Sequence, residues 1–107
     1  MNTKPDAALR QRWRVLVEQR LPAEAARRSR EWPVRFDHCF ARILLDNVHG
    51  RPWREVVPPP AWRNVDPERL ERAIELGEDI LENRADLHHL NRISLNLRGK
   101  RGPVTPR

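Results

Sequence analysis

The residues best suited to acid–base or nucleophilic chemistry lie close together in residues 36–53. Among them Asp37, His38 and Cys39 supply an orienting carboxylate, a base and a nucleophile, the three roles of nucleophilic catalysis. Adjacent residues on a helix do not face each other, so these side chains do not form a triad by themselves. A cysteine at the border of an apolar helix face usually behaves as a small, inert hydrophobe. The sequence therefore assigns no catalytic residue and does not decide whether the protein is an enzyme.

A second set of polar and aromatic residues ends this segment and continues into the proline-rich stretch after it. These residues form a candidate pocket, which would belong to a small enzyme of unknown substrate: Asp46, Asn47, His49, Trp53 and Trp62. Arg42 precedes Asp46 by four residues, the spacing of a surface ion pair on a helix. The amide of Asn47 falls on an apolar helix face, so we expect it to bond a neighbouring helix or the connector backbone.

Basic residues outnumber acidic ones, 21 to 15, and the net charge is +6. Arginines flank Trp13, Trp53 and Trp62. Because arginine neutralises phosphate and an accessible indole can stack on a base, the sequence predicts a non-catalytic protein that binds an anionic partner, nucleic acid before others. The expected contact residues are Arg10, Arg14, Arg27, Arg28, Arg30, Arg92, Lys100 and Arg101. We expect the arginines from the two ends of the chain to form one continuous positive face.

Acidic side chains are concentrated in one predicted helix, residues 66–83. The alternative function is therefore a protein-interaction module or regulatory subunit that docks a basic partner through Glu71, Glu75 and Glu78. The last two helices also resemble a helix-turn-helix in spacing, with Arg92 and Asn96 facing a major groove. Phosphates would repel the acidic helix, so a plain antiparallel hairpin of these two helices is favoured.

Several classes of protein are disfavoured by the same sequence. The ligand spacing of a zinc site, a phosphate loop, a nucleotide fingerprint and a hydrolase elbow are all missing, so we expect neither metal nor cofactor. No apolar run reaches the roughly 18 residues that would span a membrane. The single cysteine cannot form an internal disulfide, and the N-terminus lacks a hydrophobic signal core, so we expect a cytoplasmic location.

The elements that must position these residues follow a helical period throughout, which predicts an all-α bundle of four to five short helices. Asp6 is placed to cap a first helix over residues 7–19, and Pro22 should end it and begin a second over residues 22–32. A third helix should open at Pro33, bury Phe36 on its apolar face and stop at Gly50.

The second half of the chain contains the clearest helix signals. Residues 50–65 hold four prolines and two tryptophans, which predicts an ordered, extended connector packed on the helices. Asp66 and Asp86 are placed to cap a fourth and a fifth helix, the fifth running from about Leu87 to Arg98 with Ser94 facing inward. We expect residues 1–98 to form a single domain and residues 99–107 a basic disordered tail.

Overall fold

The computed structural model describes residues 4–28 and 30–99, and every regular element in this part of the chain is helical. The all-α prediction is therefore confirmed. The helices are α1 (Ala7–Val15), α2 (Leu21–Arg28), α3 (Asp37–His49), α4 (Ala61–Asn64), α5 (Pro67–Leu81) and α6 (Leu87–Leu97). A π-helical turn (Leu16–Arg20) joins α1 to α2, and a 3₁₀ turn (Trp53–Glu55) lies between α3 and α4.

The sequence predicted that the first helix ends at Pro22, but the helical chain continues past this residue. The Asp6 side chain accepts a hydrogen bond from the Leu9 N–H at 2.8 Å and caps α1 as expected. The chain then widens into the π turn, where the Leu21 N–H donates to the Leu16 carbonyl five residues back. Proline has no N–H and clashes with the carbonyl four residues earlier in an α-helix, so a widened turn is where a continuing helix accommodates it.

The third helix begins later than predicted, at Asp37 instead of Pro33. The reason is the packing of Trp32, which is buried and meets Phe40 edge to face with ring centroids 5.8 Å apart. A helix running from one residue to the other would separate their backbones by about 12 Å along its axis. Phe36, predicted to lie on the buried face, is instead 63% exposed just before the helix.

Helix α3 is the centre of the bundle and packs against α5, α6 and the π turn. Its Phe40, Ile43 and Leu44 are completely buried, in agreement with the predicted apolar face. Gly77 lets α5 approach closely, because a Cβ atom there would lie 2.6 Å from Cδ2 of Leu16. This close approach lets the π turn, α3 and α5, which are distant in sequence, pack in one core.

Helices α5 and α6 begin as predicted, but they do not form the expected hairpin. The side chain of Asp66 accepts from the Arg69 N–H, and that of Asp86 accepts from the N–H groups of His88 and His89. Helix α6 packs mainly against α3, whereas α5 packs against α3, α1 and the π turn, and α5 and α6 touch each other little. Helix α3 is therefore the partner that α5 and α6 share.

The proline-rich connector is ordered and packed on the helices, and it contains two short helical pieces where an extended chain was expected. Trp53 and Trp62 are half-buried against the core, and Val57 and Val65 are buried. The connector therefore pins the end of α3 to the start of α5. Of the predicted basic tail, residues 100–107 lie outside the described residues. No helix in the described segments is long and apolar enough to cross a membrane.

Candidate functional site

The side chain of Asp46 is completely buried in α3 and accepts four hydrogen bonds. Arg98, at the end of α6, donates from Nε to Oδ2 at 2.6 Å and from Nη2 to Oδ1 at 3.0 Å. The Ser94 hydroxyl donates to Oδ2 at 2.7 Å, and the Trp53 backbone N–H donates to Oδ1 at 2.9 Å. A carboxylate has about four lone-pair sites, so Asp46 is fully satisfied and ties together α3, the 3₁₀ turn and α6.

Arg42 joins the same network through neutral groups. Its Nη1 donates to the Ser94 hydroxyl at 2.8 Å, and its Nη2 donates to the side-chain oxygen of Asn91 at 2.9 Å. The predicted surface pair between Arg42 and Asp46 is therefore wrong. Asp46 faces inward and is paired with Arg98, because α6 approaches α3 with Ser94 and Arg98 on the facing side.

Beside this network a cleft of about 370 Å³ opens to solvent. It is lined by residues of α3, the 3₁₀ turn and the end of α6: His38, Ala41, Arg42, Trp53, Arg54 and Arg98. The guanidinium of Arg54 lies over the Trp53 ring, with its Cζ atom 5.2 Å from the ring centroid. The cleft therefore combines three guanidinium groups with one half-buried indole.

The charge of this cleft is strongly unbalanced. No carboxylate is among the residues that line it; Asp46, behind the wall, pairs with Arg98, and Glu55 attracts the same guanidinium from outside the lining. The hydrogen bond to Asp46 raises the pKa of Arg98 above its ordinary value, although burial opposes the shift. The cleft remains cationic at any pH at which the protein is folded, because arginine does not lose its proton in proteins.

The five residues of the predicted pocket do not line one cavity. Trp53 lines the arginine cleft, whereas Asp46 lies behind its wall. Asn47 donates to the Leu90 carbonyl of α6 at 3.0 Å and to its own helix at Ile43, so it acts as the expected latch. The ring of His49 lies 2.8 Å from the Leu45 carbonyl oxygen, and Trp62 lines a second cleft.

The arginines predicted to contact nucleic acid are dispersed, and several are paired inside the protein. Arg14 lies 3.5 Å from Glu18, and Arg10 lies over the Trp62 ring at 5.8 Å. Arg30 is exposed on the segment before α3 and Arg92 is exposed on α6, while Lys100 and Arg101 lie outside the described residues. The single continuous positive face expected from the sequence stays a prediction, because two of its members lie outside the described residues.

Arg27 and Arg28 converge on one carboxylate, each with a nitrogen 2.7 Å from Oε2 of Glu24. The hydrogen bond from Arg27, followed by that from Arg28, holds the pKa of Glu24 down at about 2. Two of the predicted nucleic-acid contacts are thus occupied by an intramolecular partner. Their pairing is local, since all three residues lie within one turn of α2.

We expect the Glu24 carboxyl to titrate near pH 2. A lowered pKa in the folded state means that the pair favours folding above the ordinary pKa of about 4.5, and that this contribution is lost as the pH falls toward 2. Carboxyl NMR during acidification measures the midpoint, and Arg27→Gln should raise it. A midpoint close to that of exposed glutamates in the wild-type protein would show that the pair does not form.

The acidic face proposed for protein docking is partly neutralised within the protein. Glu71 lies 3.1 Å from Arg12, and Glu78 lies 3.6 Å from Arg20. Glu75 is exposed between them. The basic side chains of α1 and the π turn therefore pair with acidic side chains of α5 where these elements pack together.

Sequence reasoning missed Arg42, Arg54 and Arg98 as members of one site. One signal for the site was present in the sequence, because Asn47 and Ser94 are polar residues on otherwise apolar helix faces. Such residues indicate helices that meet through polar contacts. Which arginine lies beside that contact depends on the register of α6 against α3, and sequence periodicity does not report that register.

The described residues bring together no group of three metal-binding side chains among histidine, cysteine, aspartate and glutamate. Comparisons of the chain with protein-family models, with curated proteins and with solved structures found no match.

Proposed function

We propose that this protein binds nucleic acid without catalysing a reaction on it, and that the cleft lined by Arg42, Arg54 and Arg98 receives a phosphate group. The observation that carries the proposal is the convergence of three guanidinium groups in a concavity with no acidic side chain in its lining. Phosphate is the anion that planar, multiply donating guanidinium groups bind best.

The hydrogen bonds inside the protein leave the arginines able to bind a ligand. Arg42 and Arg98 each use two N–H groups within the network around Asp46. A guanidinium has five N–H donors, so three remain on each for a phosphate. Because Ser94 and Asp46 hold the two side chains in place, little conformational entropy is lost when a ligand binds.

Binding is favoured over catalysis by the state of the nearest carboxylate. All the acceptor sites of Asp46 are occupied by donors from Arg98, Ser94 and Trp53, so its oxygens are not available to take a proton from a substrate. Cys39 is half-buried in α3 and is not among the lining residues of the cleft. The arrangement supports recognition of charge by fixed donors.

We expect Arg54→Glu to weaken nucleic-acid binding at least tenfold, about 1.4 kcal/mol, and Arg72→Glu to leave it within about twofold. Arg54 and Arg72 are both exposed, and neither is ion-paired within the described residues, so the two changes alter the net charge equally. Only Arg54 lines the cleft. The measurement is a fluorescence-anisotropy titration of a labelled oligonucleotide at several salt concentrations.

The salt dependence separates specific phosphate contact from general attraction to a basic protein. Loss of one phosphate contact lowers the slope of log affinity against log salt by about 0.7–0.9. We expect this reduction for Arg54→Glu and not for Arg72→Glu. Equal losses for both variants, or wild-type binding that does not respond to salt, would show that the cleft is not the contact site.

A further inference from the structure

We infer that the nucleic acid recognised is single-stranded, with an unpaired base stacked on the exposed ring of Phe36 while a neighbouring phosphate occupies the arginine cleft. This inference rests on the proposed function and adds to it the strandedness of the partner. It is carried by a pair of exposed, parallel aromatic rings at the rim of the cleft and by a second cleft that shares His38 and Ala41 with the first.

The aromatic pair is formed by Phe36 and His38. Their rings are nearly parallel, with an interplanar angle of 3° and centroids 6.0 Å apart. Phe36 is 63% exposed, and the side chain of His38 is 78% exposed. Because the two rings stack on each other, the pair leaves one face of Phe36 open, and this aromatic platform is where a base stacks.

His38 connects this platform to the phosphate site, because it lines the arginine cleft itself. His38 and Ala41 also line the second cleft, of about 150 Å³, which reaches Trp62. The two clefts therefore adjoin at His38 and Ala41, and we call them together the track, with the arginines at one end and Trp62 at the other. Aromatic rings beside a cationic groove are the arrangement by which proteins hold single strands.

The charges along the track assign different parts of a strand to its two ends. The second cleft is lined by Glu18 and Asp37, which repel phosphate and accept hydrogen bonds from the exocyclic amino groups of bases. The arginine cleft, by contrast, attracts phosphate. A strand lying along the track would place its phosphate at the arginines and its bases toward Phe36 and Trp62.

Duplex nucleic acid does not fit this arrangement. In a duplex both faces of each base are covered by neighbouring bases, so a ring outside the helix has no face to stack on. Only an unpaired or extruded base can use Phe36. Phosphates of a duplex could still reach the arginines, so the aromatic platform, and not the arginine cleft, determines the preference for single strands.

The test compares Phe36→Ala with Val56→Ala, the matched loss of the other exposed large hydrophobic side chain in residues 4–28 and 30–99. The probes are a single-stranded oligonucleotide, the duplex of the same sequence, and a strand of abasic sites that keeps the phosphates and lacks the bases. We expect Phe36→Ala to weaken binding of the single strand about tenfold and to change binding of the other two probes by less than about twofold. Val56→Ala should leave all three unchanged.

The outcomes distinguish this inference from the function on which it rests. If Arg54→Glu weakens binding of every probe but Phe36→Ala weakens none, the phosphate site stands and the single-strand preference is wrong. If the wild-type protein binds the abasic strand as tightly as the normal one, stacking is likewise excluded. If none of the three probes binds at low salt, both the inference and the proposed function are wrong.

Discussion

Replacing Asp46 with alanine should lower the free energy of unfolding by about 3–5 kcal/mol, the usual effect of removing one partner from a buried ion pair. The carboxylate accepts four hydrogen bonds from three residues, which lie on two other segments of the chain. Without it the guanidinium of Arg98 loses its counter-charge, and Ser94 and the Trp53 N–H lose their acceptor. The loss therefore exceeds that of a single hydrogen bond, which is about 1 kcal/mol.

Urea denaturation followed by circular dichroism measures this loss. Ser94→Ala is a smaller change to the same network, since it removes one donor to Asp46, and it should lower the free energy of unfolding by about 1 kcal/mol. If Asp46→Ala does not fold, Asp46→Asn is measured instead, because it keeps the shape of the side chain and loses its charge. Its loss of unfolding free energy should fall between those of Ser94→Ala and Asp46→Ala. A loss below about 1 kcal/mol for Asp46→Asn would show that the carboxylate is solvated and not held by Arg98.

Replacing Phe40 with alanine should cost about 3–5 kcal/mol, the usual range for removing a buried phenyl ring. Phe40 has no exposed surface and lies at the centre of α3. Its ring also packs edge to face against Trp32, which fixes the chain between α2 and α3. The cavity would lie between elements that are joined by this contact, so the surrounding helices could close it only in part.

The same chemical change at Phe36 is the control. That ring is 63% exposed, so Phe36→Ala should change the free energy of unfolding by less than about 0.5 kcal/mol. Denaturation of both variants, together with the intensity and wavelength of tryptophan emission, separates the two positions. Equal losses would mean that Phe36 is buried in solution, and the stacking platform would then not exist.

The helices that depend on local chemistry could be read from the sequence alone. Asp6, Asp66 and Asp86 each cap the helix that the sequence assigned to them, because a cap bonds N–H groups two or three residues away. The apolar face of α5 was predicted for the same reason, since its period is a property of one segment. The polar latch at Asn47 was anticipated, although its partner, the Leu90 carbonyl, was not.

Helix limits were predicted less well where packing competes with local preference. Pro33 is a favourable first residue for a helix, yet the chain stays non-helical until Asp37 so that Trp32 can reach Phe40. Pro22 is a helix breaker, yet a π turn carries the helix past it because both α1 and α2 bury apolar residues in the same core. In both places the burial of apolar surface outweighs the local signal.

By itself, the sequence determined that the described part of the chain is helical and where its capped helices begin, while the anionic partner that its arginines and tryptophans indicate stays a prediction. The tertiary structure alone decided which arginines remain available. Arg98 and Asp46 are 52 residues apart and meet because α6 packs on α3, and Arg12 reaches Glu71 because α1 packs on α5. Charge pairing depends on which helix faces meet across space, and a list of residues in chain order does not contain that information.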